Sequence, residues 1–102
     1  MRVYPTGDWP FKVVEEATVT AALVAAEQQW PRFPEIWDGI IWMIAHGGDK
    51  IGGPERRFGT GGHFTYTYEG DSVAGFPRIV VVYRWGLGSW TIRMIVVSAP
   101  TP

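Results

Sequence analysis

Six side chains have the types that phosphate chemistry needs: His63, Arg84 and Arg93, together with Lys50, Arg56 and Arg57. Cutting a phosphodiester without a metal requires a base for the 2′-hydroxyl proton, cations to offset the charge of the phosphorane, and an acid for the leaving oxygen. The guanidinium fork matches phosphate oxygens, and a histidine titrates near neutrality, so Arg and His suit these tasks. Arg56 and Arg57 are adjacent in a Gly-rich stretch close to Lys50 and could grip a phosphate; they also read as solvated loop charges partly offset by Glu55. His63 opens a strand pattern, where it is either a proton-transfer group or a surface histidine. Arg84 and Arg93 lie in otherwise apolar strands and must point out of the core or be paired. They either converge with Arg56 or Arg57 on one concave surface or are ordinary exposed sheet charges. His46 sits where a helix should end, a position that complements the helix dipole.

The elements that must hold these residues are legible from spacing. Residues 10–16 read as a first strand. Thr18 or Thr20 can cap a helix in which Val19, Leu23, Ala26 and Trp30 form one apolar stripe, stopped at Pro31. Pro34 and Glu35 open a second helix, and Ile36, Trp37, Ile40, Ile41 and Ile44 recur at helical spacing. That spacing predicts a helix over 34–46, with Gly47 capping it in a left-handed conformation. Residues 47–62 form a Gly-rich connector without P-loop spacing. Strands follow at 63–69, 77–85 and 90–97. Phe64, Tyr66 and Tyr68 share one face of the first, where they either pack as core or stack a base. Strict alternation puts Arg78, Val80, Val82 and Arg84 on one face of the second strand, and Arg93 with Ile95 and Val97 in the third. The order is β-α-α-β-β-β, an α+β class in which two helices pack on an antiparallel sheet.

Composition bounds the possibilities. A chain of 102 residues with 46% hydrophobic and 15% aromatic side chains reads as a single domain over 1–102 with one core, and is not disordered. There is no cysteine and there are only two histidines, which excludes a disulfide framework and leaves no metal site or cofactor to expect. No apolar run approaches the ~20 residues that span a bilayer, so no membrane association and a soluble cytoplasmic protein are expected. The net charge is −1, but it is unevenly spread: residues 1–49 carry three basic and seven acidic groups, and residues 50–102 six basic and three acidic. That asymmetry is either a binding face or the lower glutamate content of strands. Of the six Trp, Trp42, Trp85 and Trp90 are expected to line an exposed groove for a partner.

Three stretches carry a resemblance to a known family. Residues 34–46, closing on a Gly turn, resemble the second helix of RelE/ParE-like toxins of bacterial type II toxin–antitoxin systems. Pro77-Arg78-Ile79-Val80-Val81-Val82-Tyr83-Arg84 is similar to that family's central strand, and Thr91–Val97 to its closing strand. The resemblance covers roughly residues 10–97 and implies the RelE/ParE-like fold. It implies ribosome-dependent, metal-free mRNA cleavage for a RelE-like member, gyrase poisoning for a ParE-like one, and a cognate antitoxin that wraps the toxin in a heteromeric complex. A basic concave sheet face would then be where RNA lies. On the nuclease reading His63, Arg84 and Arg93 are the catalytic group, and Lys50, Arg56 and Arg57 bind phosphate. The −1 charge, and a terminus of Ser98-Ala99-Pro100-Thr101-Pro102 where the family often carries an ionisable residue, favour the alternative. That alternative is a non-catalytic binding module of the same fold, acting on gyrase or on an antitoxin-like partner.

Overall fold

The computed structural model describes residues 2–3, 9–54 and 62–100. In chain order the elements are β1 (Arg2–Val3), β2 (Lys12–Glu15), α1 (Ala17–Gln29), α2 (Phe33–Ile51), β3 (Gly53–Pro54), β4 (His63–Tyr68), β5 (Arg78–Gly86) and β6 (Ser89–Ser98). The α+β class holds: both helices pack on one face of a mixed sheet with strand order β1-β2-β6-β5-β4-β3. The sheet is not purely antiparallel, because β2 runs parallel to β6. The two helices carry the chain back across the sheet before β4, and a parallel neighbour needs such a crossover.

The first helix begins at Ala17 with Glu16 at its N-cap position, and no side chain caps it. Thr20, expected as a cap, instead donates its hydroxyl proton to Glu15 Oε1 at 2.8 Å. Glu15 is fully buried at the β2–α1 junction, a buried carboxylate that the sequence pattern does not announce. The expected stripe of Val19, Leu23 and Ala26 is buried.

The second helix is two helical segments joined across a kink: the first ends at His46, as the spacing predicts, and a short second one follows. Gly47 does not cap it in the left-handed region; its φ of 178° and ψ of 54° make a kink, and a further turn carries the chain to Ile51. Gly48, just past the kink, is required by packing. A Cβ there would lie 2.9 Å from Trp90 Cε2 and 3.0 Å from Tyr83 Cε2. The Tyr83 hydroxyl donates to the Gly48 carbonyl at 2.6 Å and so locks the kinked turn to the sheet. The core joins Phe33, Trp37, Ile40, Ile41 and Ile44 of α2 to Ile79, Val81 and Tyr83 of β5 and Trp90 and Ile92 of β6.

The closing strand contains a bulge. Val82 pairs with Met94 and Tyr83 with Ile92, so Arg93 is an extra residue in β6. Trp90 and Ile92 before it, and Ile95 and Val97 after it, all serve the helix-covered face. Strict alternation, which groups Arg93 with Ile95 and Val97, fails for this reason. Leu87 and Gly88 join β5 to β6 with φ values of 54° and 74°, the backbone of a tight two-residue hairpin.

Candidate functional site

Facing residues in an antiparallel pair share a side of the sheet. His63 faces Arg84, and Arg84 faces Thr91, so these three form a row across the side that carries no helix among the described residues. The structure therefore places His63 beside Arg84, one of the at least two arginines the nuclease reading asks for on one concave face. His63, however, is only 7% exposed, so it is not the surface strand histidine the sequence suggested. Arg93 is turned to Glu16, with Nε 2.6 Å from Oε1, an ion pair that falls outside hydrogen-bond direction. Arg78, on the same side as Arg84, donates to Glu69 at 3.2 Å. Acidic partners thus offset two of the strand cations locally.

Lys50 lies elsewhere. It belongs to the turn of α2 beyond the kink and lines a cavity on the helix-covered side, away from the His63 row. Arg56 and Arg57 fall outside the described residues. Among the described residues no cluster of three or more His, Asp or Glu could hold a metal, and no helix is long and apolar enough to cross a membrane.

Two concavities flank α2. The first, about 520 Å³, lies at the kink; Phe11, Phe64, Trp85 and Trp90 are among its walls and His46, Asp49 and Lys50 bring polar groups to it. Its rings touch one another: Phe11 and Trp85 meet edge to face at 5.0 Å between centroids, and Trp85 and Trp90 at 4.9 Å. Trp85, as expected, is partly exposed, whereas Trp90 is 3% exposed and forms a wall rather than an open groove. His46 closes the first helical segment of α2, immediately before the kink at Gly47, as expected. Its Nδ1 is 2.8 Å from the Trp42 carbonyl and its ring stacks on Trp42 at 3.9 Å.

The second concavity, about 370 Å³, is a groove between the first half of α2 and the sheet edge. It is lined by Ile36, Gly39, Trp42, Met43, Tyr66 and Tyr68, among others. Trp42, 51% exposed, is its most open large apolar wall. A Cβ on Gly39 would meet nothing within 4 Å, so the groove floor is open at that point. Tyr66 and Tyr68 face Val81 and Ile79 and pack against the core while showing an edge to the groove. Burial holds the Tyr68 phenol above its ordinary pKa, with smaller contributions from Asp71 and Tyr66. β3 pairs with β4 only at Phe64 and Thr65, and no other described strand pairs with the remaining outer edge of β4. Trp42 lines an exposed groove, as expected; that the groove lies beside an open strand edge was missed by sequence reasoning, and the aromatic alternation of 64–68 is the signal that carries it.

Fold and surfaces together define a two-layer α+β protein with concavities at both halves of its second helix. Comparison of the chain with protein-family models, curated proteins and solved structures finds no match.

Proposed function

We propose that this chain is a partner-binding module that accepts an extended segment of another protein along the outer edge of β4, as the toxin-like half of a toxin–antitoxin pair would accept its antitoxin. One observation carries the reading. An apolar groove beneath Trp42 and Met43 runs beside the edge of β4, whose pairing with β3 stops at Thr65. A segment added there would gain main-chain hydrogen bonds from the edge, and its alternate side chains would enter the groove. The toxin–antitoxin frame rests on the resemblance of residues 10–97 to RelE/ParE-like toxins.

The test is to co-express the chain with the protein encoded beside it and measure complex formation, comparing the parent with Gly39→Arg. Gly39 lies in the helix over open space, so the substitution obstructs the groove while leaving the core untouched. A stable complex with the parent that is lost with Gly39→Arg is the expected result. No complex, or one indifferent to the substitution, overturns the reading.

The adjacency of His63 and Arg84 favours a second reading, ribosome-dependent mRNA cleavage. It requires translation arrest on induction that Arg84→Ala reduces by a factor of ~10²–10³, the cost of losing a transition-state charge contact. Arrest that Arg84→Ala does not diminish removes the catalytic role of that residue.

A further inference from the structure

We propose that the cavity at the kink of α2 is a binding site for a small zwitterion whose cationic end is a methylated ammonium. Its volume of about 520 Å³ falls within the range of small-molecule sites, ~300–1,000 Å³. The shape of its walls selects the cationic end. Phe11 and Trp85 meet at 78° between ring planes, Phe64 and Trp90 at 76°, and Trp85 and Trp90 at 56°. All four rings line the cavity, and none of these pairs is parallel. A flat heterocycle is sandwiched only between parallel rings, and here it can face one ring at a time. Rings near a right angle instead make a corner bounded by the faces of both. A compact, rounded group set in such a corner meets two ring faces together. Ring faces carry negative potential and attract cations, and a methylated ammonium brings its charge without N–H groups that must be hydrogen-bonded. Phe11 at 40% and Trp85 at 37% exposure leave ring surface uncovered for it.

The charged groups of the cavity supply the rest of the selection. Asp49 and Lys50 both line it, and neither is ion-paired among the described residues. The Asp49 charge helps to hold the buried Tyr83 phenol above its ordinary pKa, so its field reaches into the fold beside the cavity. The Lys50 stem lies along the kink, where a Cβ on Gly47 would be 3.5 Å from its Cδ. His46, the remaining titratable wall, is held on Trp42 by stacking and by its Nδ1 contact with the Trp42 carbonyl. Asp49 is thus the counter-charge for an ammonium in the aromatic corner, and Lys50 for an anion carried by the same molecule. Walls of both signs around such a corner fit a zwitterion better than a free cation or a free anion.

Calorimetric titration of the protein with glycine betaine, phosphocholine, choline, 3,3-dimethyl-1-butanol and acetate is the first measurement. The butanol has the shape of choline without its charge. At least one of the two zwitterions is expected to saturate the site and to bind more tightly than choline, and acetate is expected not to bind. Choline is expected to bind at least about tenfold more tightly than its neutral isostere, the upper range of a cation–ring contact. The N-methyl proton resonance of the bound zwitterion should move upfield, as it does beside ring faces. Such an ammonium could belong to a free solute or to a lipid headgroup. Co-sedimentation with phosphatidylcholine vesicles identifies the headgroup as the source, and its absence identifies the free zwitterion.

Phe11→Leu and Trp85→Leu keep apolar bulk and remove a ring face. Each is expected to weaken the zwitterion about threefold to thirtyfold. Both side chains are partly exposed, so the core is spared. Asp49→Asn should weaken zwitterion and choline alike by about two- to fivefold, whereas Lys50→Gln should weaken only the zwitterion. Gly39→Arg, which obstructs the separate groove, should leave this binding unchanged, so failure of the partner reading and failure of this one are distinguishable. No saturable binding of either zwitterion, choline tighter than both, a neutral isostere as tight as choline, or affinity indifferent to both leucine variants overturns the proposal.

Discussion

The two faces of the sheet handle their unusual residues in opposite ways. On the helix-covered face the apolar side chains are shut in, and irregularity appears where the cover changes direction: the kink at Gly47 opens a cavity, and the first half of α2 leaves a groove over Tyr66 and Tyr68. On the other face the conspicuous residues are charges, and Arg78 and Arg93 have acidic neighbours in Glu69 and Glu16. Cations in strands drew the sequence reading toward one face, whereas the concave surfaces lie on the other. The type of a residue is written in the sequence; whether its charge is already offset, or its surface left uncovered, depends on neighbours far along the chain.

Substitutions can break this contrast. The largest effect belongs to the covered face. Ile40, 1% exposed, lies in the middle of the core stripe, and Ile40→Ala should lower stability by ~2–5 kcal/mol in chemical denaturation. If the loss were no larger than that of a surface change, the helix-covered face would not be the core.

Tyr83→Phe should cost roughly 1–3 kcal/mol, because the Gly48 carbonyl loses its buried donor. The same tyrosine gives the fold an alkaline limit. Burial, with smaller effects of Asp49 and Tyr66, raises its phenol well above the ordinary value. The protonated form is therefore favoured in the folded state. Its stabilising contribution is complete below pH ~10, the value in the unfolded chain, and falls as pH rises above that. Denaturation midpoints measured above pH ~10 should decline more steeply in the parent than in Tyr83→Phe.

At the hairpin, Leu87 holds a left-handed backbone that glycine adopts freely, and its side chain is fully exposed. Leu87→Gly should raise thermal stability by roughly 0.5–1 kcal/mol. The smallest effect belongs to the uncovered face. Arg93→Ala should change stability by ~0–1 kcal/mol, since both partners of the Arg93–Glu16 pair are more than a third exposed, and the change should shrink further in high salt. A loss of several kcal/mol at Arg93 would place that pair among the determinants of the fold.

Much of the architecture is legible in local pattern. The stripe from Trp37 to Ile44, the stop at Pro31 and the three later strands all appear where the spacing places them, within one or two residues at their ends. What escapes is set by distant contacts. The bulge at Arg93 breaks a period of two that only its pairing with β5 reveals. Gly47 ends the regular helix where its signature places it, but in a kink rather than a left-handed cap, and the turn beyond it is locked by Gly48 against Tyr83 and Trp90. The parallel placement of β2 depends on the handover from helix to sheet and leaves no mark on residues 12–15. The candidate site was the least legible part. His63 and Arg84 were expected on one surface and are, but the exposure assumed for His63 was lost to packing that strand alternation does not describe.

The parallel pairing of β2 with β6 also sets a schedule for the chain during its own synthesis. Val13 must wait beside an empty lane until Trp90 has been made, and Glu15 until Ile92. The two helices and the nascent N-terminal strand can form early, but the lane between β2 and β5 is filled last. Contacts so distant in sequence slow folding, and an unpaired apolar strand held open in the meantime invites pairing with another chain. Newly made copies of this protein are thus most vulnerable to aggregation in the interval before residues 89–98 emerge from the ribosome.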